Sequence, residues 1–480
     1  MARTLQDCRA LDAQDPLRAL KEQFILPEGV IYLDGNSLGP LPKASAARVL
    51  EALTQEWGQG LIRAWNSAGW LEAPQRLGDK IARLVGAGPG ELVVADSTSV
   101  NLYKVLSAAL AMAAEDAPAH QVLVSERSNF PTDLYIAQAL CQEHDLRLLL
   151  VEPQDIAAAL TADVAVLLLT QVNYRTGALH DMAAVTAAAH AAGSLAVWDL
   201  AHSAGAVPVD LHAAQADFAV GCGYKFLNGG PGAPAFVWAH PRHVARCRQP
   251  LAGWWGHAAP FEFKPDYRPA PGIGRFLCGT PPVLSLTALD CGIDTVLAAE
   301  SLGGMAALRA KSLALTDLFI ELVEARCAGH GLELATPRAH AQRGSQVCLS
   351  RGSGPHAPLL RGSLPPGGAD SALGRPGEST CPHAPPLGGS RHPEGADTAL
   401  GRPGGGGSCA YAIVQALIAR GVIGDFRAGV GDQHPDILRF GFTPLYLGFE
   451  DVWQAVEHLR QVLDTGEWQR PEFSQKQAVT

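Results

Sequence analysis

The sequence predicts an α/β protein built on a mostly parallel seven-stranded sheet, followed by a smaller α+β region. Two observations predict it. First, short apolar runs recur between about residues 90 and 240 with helix-like stretches between them. The runs are Leu92–Ala95, Gln121–Ser125, Arg147–Val151, Val164–Thr170, Leu195–Asp199, Phe218–Gly221 and Ala235–Trp238. Most are apolar throughout, as expected of strands covered on both faces. Ala-rich segments such as Val105–Ala114 and Ala183–Ala192 supply the crossover helices. Second, Leu308, Leu315, Phe319 and Leu322 fall at helical spacing, as do Val452, Val456, Leu459 and Leu463. These stripes read as the core of a second block.

The chain therefore divides, in order, into an N-terminal arm with helices (1–65) packing on the last block, a large domain (66–290) and a small C-terminal domain (291–480). Residues 353–408 differ in kind. Gly, Pro, Ser, Arg and His dominate, and a tandem repeat runs through them. His356-Ala357-Pro358 returns as His383-Ala384-Pro385, and Leu373-Gly374-Arg375-Pro376-Gly377 returns as Leu400-Gly401-Arg402-Pro403-Gly404. Such a composition buries too little apolar surface to offset its ordering entropy, so a disordered insertion in the small domain is expected.

Composition narrows the class of function. Hydrophobic residues make up 47% and charged residues 18%, as in an ordinary globular protein. The net charge of -10 and the lack of a basic block argue against nucleic acid or an anionic membrane as partner. The run Val164–Leu169 is too short to cross a bilayer. Met1 to Pro16 lack the apolar core of a secretory signal, and the ten cysteines form no C-x-x-C pair. A cytoplasmic protein with reduced thiols is expected, without a metal site.

In an open parallel sheet, ligands gather outside the carboxyl ends of the strands. There the run Val197-Trp198-Asp199 ends in a carboxylate. The next run begins about 20 residues later, the usual βαβ spacing, and leads into Gly223-Tyr224-Lys225-Phe226. A strand-end carboxylate followed by a strand-end lysine is what pyridoxal phosphate requires. The lysine holds the cofactor as a Schiff base, and the carboxylate keeps the pyridine nitrogen protonated. Either residue alone reads as a surface cap or a snorkelling amine; the pair in succession does not. Ser97-Thr98-Ser99 follow Leu92–Ala95 and open a helix, which suits a phosphate, although a plain N-cap is the commoner meaning of such a cluster. Asn129-Phe130-Pro131-Thr132-Asp133 place an aromatic and an acid after the next strand.

With these residues in place the chain resembles kynureninase, a fold-type I pyridoxal-phosphate enzyme with a transferase-like, aminotransferase class V-like fold. The resemblance rests on Tyr32-Leu33-Asp34-Gly35-Asn36-Ser37-Leu38-Gly39-Pro40, Asn129 to Asp133, Asp199 to His202 and Tyr224-Lys225. Gly253-Trp254-Trp255-Gly256-His257, Phe276 to Pro282 and Gly421 to Arg427 extend it over nearly the whole chain outside the insertion. It implies hydrolysis of the Cβ–Cγ bond of L-kynurenine to anthranilate and L-alanine, in tryptophan degradation. Lys225 would hold the cofactor and Asp199 would pair with the pyridine nitrogen, with His202 beside it. Tyr224 would serve as phosphate ligand and as acid or base. Phe130 would stack on the ring, followed by Pro131, Thr132 and Asp133 in the same motif. Thr98, Ser99 and Thr170 would hold the phosphate. Trp254 and Thr280 would arrive from the second subunit of a homodimer. Arg439 would grip the substrate carboxylate, with Asn36, Ser37, Trp65 and Gly279 lining the substrate side. The choice between kynurenine and its 3-hydroxy form falls to the region of Gly279 and Thr280.

Three other readings compete. Gly35-Asn36-Ser37-Leu38-Gly39 matches the nucleophile elbow of serine esterases, but Pro40 and Pro42 oppose the helix that must follow. A cysteine desulfurase or another β-eliminating lyase would need a mobile reactive thiol, for which Cys327 and Cys348 are the small-domain candidates ahead of the insertion. His240-Pro241-Arg242-His243 lacks a third metal ligand.

Overall fold

A computed structural model describes residues 3–351, 409–429 and 434–475. The insertion expected at 353–408 lies outside the described residues. The strands, in chain order, begin with three short pieces: β1 (Phe24–Ile25), β2 (Ile31–Tyr32) and β3 (Leu41–Pro42). The main sheet comprises β4 (Leu92–Ala95), β5 (Val122–Glu126), β6 (Arg147–Val151), β7 (Val164–Thr170), β8 (Leu195–Asp199), β9 (Phe218–Gly221) and β10 (Ala235–Ala239). After them come β11 (Leu332–Leu334), β12 (Gln346–Arg351), β13 (Val422–Ile423), β14 (Asp425–Arg427) and β15 (Ile437–Gly441).

The seven-stranded sheet has the order β4-β10-β9-β8-β7-β5-β6. Only β10 runs against the rest, between β4 and β9. Every residue of β7 is buried. Leu167 and Leu169 face one apolar cluster, and Val166 and Leu168 face the other. This is why the run lacks polar alternation: both faces are covered by helices. β6 sits at the edge, starts with exposed Arg147 and is only half-buried beyond it, a common guard on an open edge.

The flanking helices are close to the apolar segments that foretold two of them. Val105–Ala114 lies inside Thr98–Asp116, which starts at the N-cap Ser97. Ala183–Ala192 corresponds to Met182–Ala191, capped by the Asp181 carboxylate on the Ala184 N–H at 3.0 Å. The helical stripes of the later block fall on Gly304–Arg326 and Phe449–Thr465, and all eight residues named for them are buried. Gly304–Arg326 and the helix Ala410–Ala419 pack against a four-stranded antiparallel sheet of order β11-β12-β15-β14, and Phe449–Thr465 packs on those two helices. The N-terminal arm reaches the same region: β2 pairs in parallel with β13, Ile31 opposite Val422. Asp12 accepts hydrogen bonds from the Phe449 and Glu450 N–H groups, at 2.7 and 2.9 Å, at the start of the last long helix.

Candidate active site

The strand directions decide where the chemistry meets. β4, β9, β8, β7 and β5 all point their carboxyl ends to one edge, because the single antiparallel strand β10 lies between two that run alike. Across that edge stand Thr98 and Ser99 after β4, Tyr224 and Lys225 after β9, Asp199 ending β8, Thr170 ending β7, and Phe130 to Asp133 after β5. Thr170 and Asp199 are register partners. Sequence positions far apart thus share one rim, as ligand sites in such sheets do.

At its centre, the Lys225 Nζ lies 3.0 Å from Nε2 of His202. His202 is buried, and burial drives its pKa well below the ordinary value, with the charges of Lys225, Arg439 and Arg427 adding to the effect. A neutral imidazole accepts from the amine. Asp199 is buried as well, and burial raises its pKa against the pull of Lys225, the Ala201 N–H (2.7 Å to Oδ1) and Asp133. Asp133 is raised well above the usual carboxylate range by burial and by the Asp199 charge. Two buried carboxyl groups in contact hold a proton between them, and they call for a cationic N–H partner. A protonated pyridine nitrogen is such a partner.

The rim also offers an anion cradle. Thr98 starts a 19-residue helix, and its buried Oγ1 has no hydrogen-bond partner. An unpaired hydroxyl beside free backbone N–H groups suits a phosphate. Phe130 precedes the helix Pro131–Glu143, whose first residue Pro131 has no N–H to leave unpaired. Phe130 is 38% exposed and meets the Tyr174 ring edge to face, with 5.3 Å between ring centres and 87° between planes. The Lys225 Nζ sits 5.9 Å from the Phe130 ring centre. Thr132 is half-buried in the first turn of the same helix. Thr170 donates to Asn129 Oδ1, tying the ends of β7 and β5 together. The Tyr224 phenol is pushed up by burial, so it stays protonated.

The N-terminal arm closes one side. Gly39 donates its N–H to the Tyr224 carbonyl at 2.8 Å, and a Cβ at Gly39 would come within 2.5 Å of the Lys225 carbonyl oxygen. Only a residue without a side chain fits there. Ser37 accepts from Arg439 Nη2 at 2.7 Å, while Nη1 donates to the Tyr174 carbonyl at 3.1 Å. Arg439 also pairs with Asp425, and its Nε is buried without a partner. Asn36 is fully buried against Gly441, with neither side-chain polar atom hydrogen-bonded.

Four expected residues lie elsewhere in this chain. Trp65 packs against Trp70 and Trp255, and Trp254 stacks on Phe263 with 6.4 Å between ring centres. Gly279 and Thr280 are exposed, and a Cβ on Gly279 would meet nothing within 4 Å. None of the four makes a polar or ring contact with Lys225, His202 or Asp199 among the described residues. The sequence reading passes over Asp34, Glu126, Asn173, Tyr174, Asp425 and Arg427 as individual residues. Asn173 Nδ2 donates to Glu126 Oε1 at 2.7 Å and to Ser128 Oγ at 2.8 Å, and His180 meets Glu126 Oε2 at 2.8 Å, so Glu126 anchors the loops that carry Phe130 and Tyr174. A buried acid at a strand end was the available signal.

A kynureninase from Burkholderia pseudomallei strain 1106a is 50% identical over 482 aligned residues, covering 100% of both chains. A kynureninase from Pseudomonas fluorescens is 50% identical, covering 99% of this chain and 100% of its own. The chain belongs to the kynureninase family. The sequence model of the kynureninase C-terminal domain matches residues 308–358 and 407–459, and the break falls on the expected insertion. Among solved structures, an apo cysteine desulfurase from Thermococcus onnurineus NA1 is similar, with a TM-score of 0.68 at 17% identity, covering 93% of this chain and 98% of that one. A lysine-to-alanine mutant of C-DES, with glycine covalently linked to its PLP cofactor, gives a TM-score of 0.69 at 14% identity, covering 92% and 98%. These two show the fold, the fold-type I architecture expected from the sequence.

Within the kynureninase family the site's chemistry is coherent, and the rival readings lose ground on particular atoms. Cys327 and Cys348 are buried, which pushes their thiols up to about 12 and about 11, so neither is a ready thiolate. Ser37 receives the Arg439 guanidinium and ends a turn, and irregular backbone and the short strand β3 follow it where an esterase elbow needs a helix. His243 pairs with Asp217 at 2.7 Å, and His240 caps its own short helix. Among the described residues no cluster of His, Cys, Asp and Glu could hold a metal ion.

Proposed function

We propose that this protein hydrolyses the Cβ–Cγ bond of L-kynurenine, releasing anthranilate and L-alanine, with pyridoxal phosphate as cofactor. The observation that carries the reading is the pair Asp199 and Lys225 on one sheet edge, in a chain of this family. Asp199, held by the Ala201 N–H and by Asp133, would face the pyridine nitrogen. Thr98 and Ser99 at the helix N-terminus, with the Tyr224 hydroxyl, would bind the phosphate, and Phe130 would cover the ring. Pyridoxal phosphate, when bound, supplies an electron sink that stabilises negative charge on the substrate carbons.

The chain's own groups supply the rest. His202 keeps the Lys225 amine in place, and once the amine is free it takes the α-proton. Water adds to the γ-carbonyl, and as the Cβ–Cγ bond breaks the acyl carbon leaves as the anthranilate carboxylate while Tyr224, kept protonated by burial, supplies the proton to Cβ. Arg439 holds the substrate carboxylate, with Ser37 fixing its fork.

A homodimer with shared sites completes the proposal. Trp254 (37% exposed), Phe261 (60%) and Phe263 (76%) form an uncovered aromatic patch near Thr280's segment. A cavity of about 650 Å³ lined by Leu41, Val49, Leu50 and Leu284 adds apolar surface that favours a second copy. No helix among the described residues is long and apolar enough to cross a membrane. The free, scattered thiols support a cytoplasmic location. Parallel assays with L-kynurenine and 3-hydroxykynurenine, against L-cysteine as the desulfurase substrate, test the reading. Arylamine release is expected from the first two and no sulfide from the third; sulfide without arylamine would reverse it.

A further inference from the structure

Lys104 is a fully buried cation in the second turn of the helix Thr98–Asp116. Its long side chain runs back toward the helix start, as such side chains do. There the amine pairs with the Asp96 carboxylate and donates to the Phe276 carbonyl at 2.6 Å. A buried ammonium is costly even when paired, and an apolar side chain of similar length would serve packing at least as well. Asp96 is unusual in its own right. Its φ is 47°, a left-handed conformation that few side chains adopt, and it stands where β4 ends and the anion cradle begins.

The backbone around Asp96 is tied down on both sides. The Ala235 N–H donates to the Asp96 carbonyl at 2.8 Å, and Asn101 Nδ2 donates to the Ala95 carbonyl at 2.8 Å. Ser97 Oγ accepts from the Val100 N–H at 3.3 Å and so caps the helix. The Thr98 and Ser99 N–H groups have no acceptor within the helix, and the buried Thr98 Oγ1 has no partner. On the side-chain side, the ammonium of Lys104 holds the turn. Without it, the Asp96 carboxylate would stand uncompensated two residues from a bound phosphate. We propose that Lys104 and Asp96 form a positioning pair for the cofactor phosphate. The pair locks the left-handed turn that presents Thr98 and Ser99, and the lysine cancels a negative charge that would repel the phosphate. Both residues act through the turn and not by touching the cofactor. The inference rests on the reading of Thr98 and Ser99 as the phosphate cradle.

The test strips the cofactor from purified protein and titrates back pyridoxal phosphate or pyridoxal, which lacks the phosphate. Binding is followed by the visible absorbance of the lysine-bound form. The readout is the ratio of the two affinities, which damage at the Lys225 end or a general loss of stability would leave unmoved. In Lys104→Met the affinity for pyridoxal phosphate should fall by about ten- to a hundredfold, the scale of one hydrogen bond to a charged group. Pyridoxal affinity should stay within about twofold of wild type, since only the phosphate contact is lost. Lys104→Met also frees the Phe276 carbonyl, so variants of Asp96 form a second arm, which decides the matter if Lys104→Met does not fold. Asp96→Ala loses both the pair and the ease of a positive φ, and its ratio should fall as well. Asp96→Gly takes a positive φ freely and should regain much of that loss. A wild-type ratio in either Lys104→Met or Asp96→Ala would overturn the proposal, as would an Asp96→Gly no better than Asp96→Ala. Wild type that binds both compounds equally well would instead sink the cradle reading beneath it.

Discussion

The Lys225 amine lies 3.0 Å from Nε2 of His202, an imidazole that burial keeps neutral. The two residues come from different strand ends, β9 and β8, and the contact fixes the amine at the rim where the other site groups converge. Lys225→Ala should lower turnover by at least about 10³-fold, since it removes both the covalent anchor and the proton carrier. Borohydride treatment of wild type followed by peptide mapping should place the cofactor adduct on Lys225. An adduct on Lys104 or another lysine would refute the assignment.

Asp199 should matter through its charge. Asp199→Asn retains the shape but cannot keep a pyridine nitrogen protonated, and kcat should fall by about 10²–10³-fold while cofactor is still bound. Cofactor content by absorbance, measured beside kcat, distinguishes this from simple loss of binding.

The buried pair Asp133 and Asp199 gives the cofactor-free protein a pH signature. Both carboxyls are raised above their ordinary 3.8, so the unfolded chain loses these protons first as pH rises. Their contribution to stability is full below about 3.8 and is lost as pH climbs through the raised folded values. Asp133→Asn should flatten that loss in the apo protein, as read from urea midpoints at pH 5 and pH 8. An unchanged slope would show that the two carboxyls do not share a proton.

Arg439 pairs with Asp425 and is proposed to hold the substrate carboxylate, and removing it should test both. Arg439→Ala takes one of its guanidinium partners from Asp425, which keeps Arg427, at a cost of about 1.5–3 kcal/mol of stability. It should also raise KM for the substrate. Arg439→Ala combined with Asp425→Asn should recover much of the stability and none of the KM, a split readable from thermal midpoints and steady-state kinetics together.

Much of this was legible in the sequence, and for a physical reason. The strands of the main sheet are apolar on both faces, so Val164–Thr170 and Leu195–Asp199 stand out from their neighbours, and the polar residues ending them mark the ligand edge. The second sheet offers no such signal. β11 and β14 are three residues long, and Asp425 and Arg427 on β14 read as loop charges until β15 is laid beside them. The pairing of Ile31 with Val422 spans nearly the whole chain and leaves no local pattern. The pairing of Asp425 with Arg439 was hidden for the same reason, since the two come from separate strands.

The proposed dimer with shared sites predicts complementation. Lys225→Ala and Trp254→Ala should each be inactive as homodimers. Mixed dimers of the two should regain about half of wild-type activity, because one of their two sites then has both residues intact. Recovery is measured after co-expression and purification through a different tag on each subunit. No recovery would place Trp254 outside the neighbouring site.

The central claim is tested most directly by adding L-kynurenine to the purified, cofactor-loaded protein and following anthranilate fluorescence and L-alanine together. The account predicts equimolar release of both, abolished in Lys225→Ala. Release of neither product by a protein with full cofactor content, or alanine without anthranilate, would contradict it.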